Sequence, residues 1–166
     1  MFVRTAGERD LDAIRALLVE TWHATYDSIY GAEKVAEITD EWHSIAALRK
    51  HLTQPNSDFL VADDGERLGG VAYARAGADG KTVKLHQLYV LPALQGRGIG
   101  GMLLDEIIDS FPDADMFRLE VEEANDKAIG FYLSQRFVQV GSTANCGTED
   151  SGVPALVFER KAATLA

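Results

Sequence analysis

Apolar positions along this chain alternate between a helical period and a period of two, and the switches divide it into elements. Leu11, Ile14, Leu17 and Leu18 share one helical face, so residues 10–26 are predicted to form a helix. Gly31 breaks it, and Val35, Ile38, Trp42, Ile45 and Leu48 carry a second helical run to His51. A short strand at 2–4 precedes them. The period then drops to two. Strands are predicted at 59–61, 68–76 and 82–90, separated by the turn signals Asp63-Asp64-Gly65 and Asp79-Gly80. Ile99, Leu103 and Ile107 restore a helix over 98–110, which Phe111-Pro112-Asp113 stops. Phe117, Leu119 and Val121 then alternate with Arg118, Glu120 and Glu122. Asn125 or Asp126 is placed to cap a short helix through Phe131 and Tyr132, and strands at 137–140 and 153–158 finish the chain. The order β-α-α-β-β-β-α-β-α-β-β predicts an α/β fold with a mixed sheet, without the strict alternation of a doubly wound fold. No linker or repeat interrupts it, so 1–166 reads as a single domain.

Composition narrows the function classes. A chain of 166 residues, 46% of them hydrophobic, supports one real core. Its net charge of −10 disfavours nucleic acid and anionic membrane surfaces as partners and favours a cationic small molecule. No apolar run reaches the roughly 20 residues of a membrane span, and MFVRTAGERD lacks the apolar core of a signal peptide. Cys146 is the single cysteine, too few for an internal disulfide, and no ligand-type cluster suggests a metal. The expectation is a reduced, cytoplasmic protein without metal. His43 and His51 read as exposed helix residues without a role.

Chemistry concentrates in LYVLPALQGRGIGG, residues 88–101. It parses in two ways. Gly96, Gly98 and Gly101 spell G-x-G-x-x-G, the dinucleotide pattern, with Glu120 or Glu122 as the distant acid. Against that reading, a hairpin meander precedes the loop, five residues separate strand from glycines, and too little chain follows. The other parsing, Q-x-x-G-x-G, uses Gln95, Gly98 and Gly100. Alternating glycines let consecutive amides face one concavity, and the following helix adds free N–H groups and a partial positive charge. A pyrophosphate is held there without a lysine, with Arg97 at the rim.

The stretch LYVLPALQGRGIG, together with VEEANDKAIGFYLSQRFVQVG at 121–141, resembles the GNAT superfamily of N-acetyltransferases. Asn125, Ala128, Phe131, Tyr132 and Phe137 fall in place in the second block; Arg136 departs from the family's frequent glycine. The resemblance implies a GNAT-like, mostly antiparallel mixed sheet flanked by helices, with a V-shaped splay between the fourth and fifth strands. It implies acetyl-CoA as cosubstrate, its pyrophosphate held by the amides of Gln95, Gly96, Arg97, Gly98, Ile99 and Gly100. The pantetheine arm would pair with Leu88 and Val90 and bond Asn125, and the backbone N–H of Tyr89 or Val90 would face the carbonyl oxygen. Tyr132 stands at the general-acid position. His86 stands where a catalytic carboxylate is often found and is the candidate base, equally readable as a satisfied strand histidine. The run Glu120, Glu122, Glu123 reads either as a proton acceptor or as a solvated edge. Trp22, Tyr26 and Tyr30 are candidate acceptor contacts, some of them expected in the core.

The expected activity is direct transfer of acetyl to an amine, on a small molecule, a protein N-terminus or a lysine. The alternative is an acyl-CoA-binding sensor or interaction module without turnover. The family resemblance also admits a homodimer through the last strands.

Overall fold

The computed structural model describes residues 1–146 and 151–162. Two compact units emerge: one joins Met1–Tyr73 to Gln87–Ser110, the other joins Ala74–His86 to the chain from Phe111 onward.

In the first unit, β1 (Phe2–Thr5) pairs antiparallel with β2 (Ser57–Asp63), from Phe2↔Asp63 to Thr5↔Leu60. Helices α1 (Leu11–Tyr30), α2 (Ala32–Trp42) and α3 (Ile45–His51) lie between them in sequence. The predicted helical stripe of α1 is buried: Leu11, Ile14, Leu17 and Leu18 pack with Leu48, Phe59, Val61, Val71 and Tyr73. Gly31, at φ +87°, both ends and starts a helix. Its N–H donates to Asp27 O at 3.0 Å, and its carbonyl accepts from Val35 N at 3.1 Å. The single helix expected up to His51 is instead two. Ser44 is the reason: its Oγ accepts from Ala47 N at 3.1 Å and caps α3, turning the chain at His43. Arg4 locks the start of α1 to the strands. Its guanidinium donates twice to Asp10 at 2.8 Å and once to Asp63 at 2.9 Å. The arginine holds the buried Asp10 carboxyl below its ordinary range.

In the second unit, β5 (Met116–Glu122) pairs antiparallel with β7 (Ala155–Lys161) along its whole length, and β7 pairs antiparallel with β6 (Val138–Thr143). Helix α5 (Asp126–Ser134) follows β5. The last strand runs to Lys161, past the expected 158, because the polar tail Glu159-Arg160-Lys161 still bonds through its backbone to Arg118, Phe117 and Met116. Phe117, Leu119, Val121, Phe137 and Phe158 are buried.

Strands β3 (Leu68–Ala76) and β4 (Thr82–Val90) complete a seven-stranded sheet ordered β1-β2-β3-β4-β5-β7-β6, with α4 (Ile99–Ser110) after β4. The one parallel pair in this mostly antiparallel sheet is β4 with β5. Its register runs from Thr82↔Met116 to Leu85↔Leu119, while β4 continues to Val90 and β5 to Glu122. The pairing ends where the splay was expected. No helix among the described residues is long and apolar enough to cross a membrane.

Candidate active site

The glycine loop lies in the first unit, between β4 and α4. Leu91 N–H donates to Gly69 O at 2.9 Å, and Pro92–Leu94 forms one 3-10 turn with Leu94 buried. Gln95 Nε2 donates to Val90 O at 3.1 Å, tying the loop back to its strand. Gly96 and Gly98 sit at φ +80° and +84°, where a side chain would be strained, and no atom lies within 4 Å of a Cβ built at either. Both are exposed, as is Arg97, whereas Ile99 is buried and anchors the start of α4. The first N–H groups of α4 have no intrahelical partner, and the helix dipole adds positive potential there. Exposed positive-φ glycines at a helix start, beside a guanidinium, are the kind of backbone that suits a pyrophosphate.

The strand feeding this loop is held at close range. A Cβ on Gly70 would meet Leu103 Cδ1 at 2.9 Å, Tyr89 O at 3.1 Å and Ile99 Cγ2 at 3.2 Å. Glycine at 70 therefore lets β3 approach both the Tyr89 carbonyl and the base of α4. The Gly69-Gly70 pair inside a strand pattern was the available signal for this role.

Trp22, Tyr26 and Tyr30 come together as a ladder on α1. Ring centroids are 4.5 Å apart for Trp22–Tyr26 and 5.6 Å for Tyr26–Tyr30. Trp22 and Tyr26 are core residues at 1% exposure, leaving Tyr30 half-buried. Trp42 meets Trp22 edge-on at 5.5 Å, and Tyr89 lies 6.4 Å from Trp22 and 6.2 Å from His43.

The histidines correct the sequence reading. His43 is buried, not exposed, because the turn at Ser44 folds it inward against Trp22, 5.8 Å between ring centroids. Burial, aided by the charges of His51 and Arg15, pushes its pKa down to about 4. His51 stacks on Tyr73 at 3.9 Å and is half-buried, its pKa also pushed down to about 4 by burial. Gln87 is buried too, with Nε2 3.4 Å from His43 Nδ1. Trp22 Nε1, His43 Nε2 and Gln87 Oε1 have no hydrogen-bond partner in the protein. An unsatisfied buried polar group costs about 1–3 kcal/mol, so three together are expensive. Strand parity was the signal for Gln87, which shares a buried face with Val83 and Leu85.

The second unit carries the other candidates. His86 is exposed, on the face of β4 opposite Val83 and Leu85. Asn125 caps α5 as expected, its Oδ1 accepting from Ala128 N at 3.1 Å. Tyr132 is buried and meets Phe137 edge-on at 5.6 Å. Burial and the neighbouring Glu122 carboxylate raise its phenol well above the ordinary value, so it stays protonated at neutral pH. The acidic run is not a uniform solvated edge. Glu122 is buried, Glu120 lies 3.4 Å from Lys84 Nζ, and Glu123 is exposed. Cys146 Sγ lies 3.7 Å from Glu122 Oε1; burial first, then that carboxylate, raises its pKa, which keeps the thiol protonated and unreactive. Among the described residues, no group of His, Cys, Asp or Glu is arranged to hold a metal ion.

Comparison with known proteins agrees with this architecture. The chain is 38% identical over 106 residues to the N-alpha-acetyltransferase RimI of Mycobacterium tuberculosis, covering 61% of this chain and 65% of that relative, just under two thirds of its length. An uncharacterized N-acetyltransferase of Archaeoglobus fulgidus is 28% identical over 142 residues, 81% of this chain and 91% of the relative. The fold is shared with the PaiA N-acetyltransferase of Thermoplasma acidophilum in complex with coenzyme A: TM-score 0.84, 23% identity, 96% of this chain and 98% of that one. It is also shared with the ribosomal-protein-S18-alanine N-acetyltransferase of Escherichia coli, at TM-score 0.73 and 17% identity, over 99% of this chain and 96% of that one. The family model described as the acetyltransferase (GNAT) family matches residues 11–137, and the chain belongs to that family.

Proposed function

We propose that this protein transfers an acetyl group from acetyl-CoA to an amine by direct attack. The observation that carries the reading is the loop at Gly96 and Gly98, two open positive-φ glycines leading straight into the N-terminus of α4. Acetyl-CoA supplies an activated thioester; the residues of the chain bind it, polarise its carbonyl and manage the protons. The amides from Gln95 to Gly100 grip the pyrophosphate, and Arg97 adds a screened cation. Leu88 and Val90 offer backbone groups to the pantetheine arm, with Asn125 as a further contact. The N–H of Tyr89 or Val90 faces the carbonyl oxygen, where negative charge develops.

Tyr132 gives its phenol proton to the departing thiolate, a role that its protonated state at neutral pH supports. His86, exposed on β4, takes the proton that the amine releases. The acceptor is an amine on a small molecule, a protein N-terminus or a lysine. The N-alpha-acetyltransferase among its relatives and the net charge of −10 both favour a basic acceptor.

Tyr132→Phe tests the chemistry. It should lower kcat about a hundredfold or more, the usual reach of a general acid, with the KM for acetyl-CoA nearly unchanged. Unchanged kcat would remove Tyr132 from the mechanism. Acetyl-CoA binding without turnover for any amine would replace the enzyme with an acyl-CoA-sensing module.

A further inference from the structure

We propose that Trp22, His43 and Gln87 bind one internal water, which ties β4 to α1 and to the corner between α2 and α3. The three side chains come from three separate parts of the chain and are 1%, 4% and 5% exposed. Each carries a polar atom without a partner: Trp22 Nε1, His43 Nε2 and Gln87 Oε1. They are neighbours, with the Trp22 and His43 rings 5.8 Å apart between centroids and Gln87 Nε2 3.4 Å from His43 Nδ1.

The donor and acceptor pattern selects the ligand. The 3.4 Å approach of Gln87 Nε2 to His43 Nδ1 suits the tautomer that carries its proton on Nε2, and that tautomer is part of the proposal. The site then presents two N–H donors and one carbonyl acceptor. An anion accepts from the donors but gives nothing to the Gln87 carbonyl. An ammonium satisfies the carbonyl but not the donors. A water does both, and atoms bridged by one water lie within about 5–6 Å of each other.

The water makes His43 and Gln87 positioning residues. Gln87 immediately precedes Leu88, Tyr89 and Val90, and the Tyr89 ring lies 6.2 Å from His43 and 6.4 Å from Trp22. Fixing Gln87 fixes the backbone expected to meet the thioester. This positioning role rests on the acetyl-transfer reading; the water site does not.

A high-resolution crystal structure of the full chain tests the site directly. One water within hydrogen-bond distance of Trp22 Nε1, His43 Nε2 and the Gln87 amide is the expected result. A dry site, with these atoms paired to protein groups, overturns the proposal. Kinetics test the role. Gln87→Met and His43→Phe should each lower kcat/KM about tenfold to a hundredfold, the scale of a small misplacement of reacting groups. His43→Gln, which keeps an N–H for the water, should recover most of that loss. Loss of melting temperature with kcat and KM unchanged overturns the positioning role, as does an equal loss in His43→Phe and His43→Gln. Should Gln87→Met fail to fold, Trp22→Phe removes one donor and is read the same way. A water in place in a protein that acetylates no amine overturns the acetyl-transfer reading and leaves the water site standing.

Discussion

The loop around Gly96 and Gly98 and the cluster of Trp22, His43 and Gln87 belong to the same unit but are built from opposite materials. The loop presents backbone: open space at the missing Cβ positions and positive φ, leading into a helix start. The cluster presents side chains, sealed to 5% exposure or less, whose polar atoms find no partner in the protein. A backbone-built grip is indifferent to pH and intolerant of any side chain. A side-chain-built cluster is the reverse, dependent on its polar atoms and sensitive to protonation.

The largest expected effect breaks the loop. Gly96→Val with Gly98→Val puts β-branched side chains at φ +80° and +84° and covers the exposed backbone of the loop. Acetyl-CoA affinity measured by calorimetry should fall about a hundredfold or more; the strain at positive φ also lowers the melting temperature, so the measurement is made well below it.

Protonation should strike the other region. The His43 and His51 pKa values are pushed down to about 4 by burial, against an ordinary value of 6.5. The unfolded chain therefore binds more protons between these values, and stability falls as pH drops below about 6.5 toward 4. The loss is on the order of 2–3 kcal/mol for the pair, discounted because His51 is only half-buried. Urea midpoints at pH 7 and pH 5 measure it, and a midpoint that rises on acidification would contradict it.

Gly70→Ala should act where the regions meet, pressing on the Tyr89 carbonyl and on Leu103 and Ile99 of α4. The expected cost is about 1–3 kcal/mol of stability, read from denaturant unfolding, with a fall in kcat/KM. The smallest effect belongs to Arg97→Gln. Removing an exposed cation should weaken acetyl-CoA about threefold to tenfold at low salt and almost nothing at high salt.

The contrast also explains what the sequence disclosed. Strands, turns and α1 were readable because period and turn residues act locally, and the loop was readable because only glycine serves at Gly96 and Gly98. Ser44 was not, since a capping serine inside a continuing helical stripe looks like any polar residue until its Oγ meets Ala47 N. The inward turn of His43 follows from that cap, so its burial was hidden as well. Glu122 was hidden for another reason: alternation along β5 places it outward, yet it is buried beside Cys146. Tyr132 could be placed on α5 by its motif, but the upward shift of its phenol comes first from burial and then from that same Glu122, and periodicity discloses neither.

Free CoA thiol released by the protein from acetyl-CoA, measured across small amines, peptide N-termini and lysine peptides, tests the central claim most directly. The account predicts thiol release in step with acetylated amine, lost in the Gly96→Val, Gly98→Val double variant and strongly reduced in Tyr132→Phe. No release above the uncatalysed rate with any amine, despite a folded protein, would contradict it.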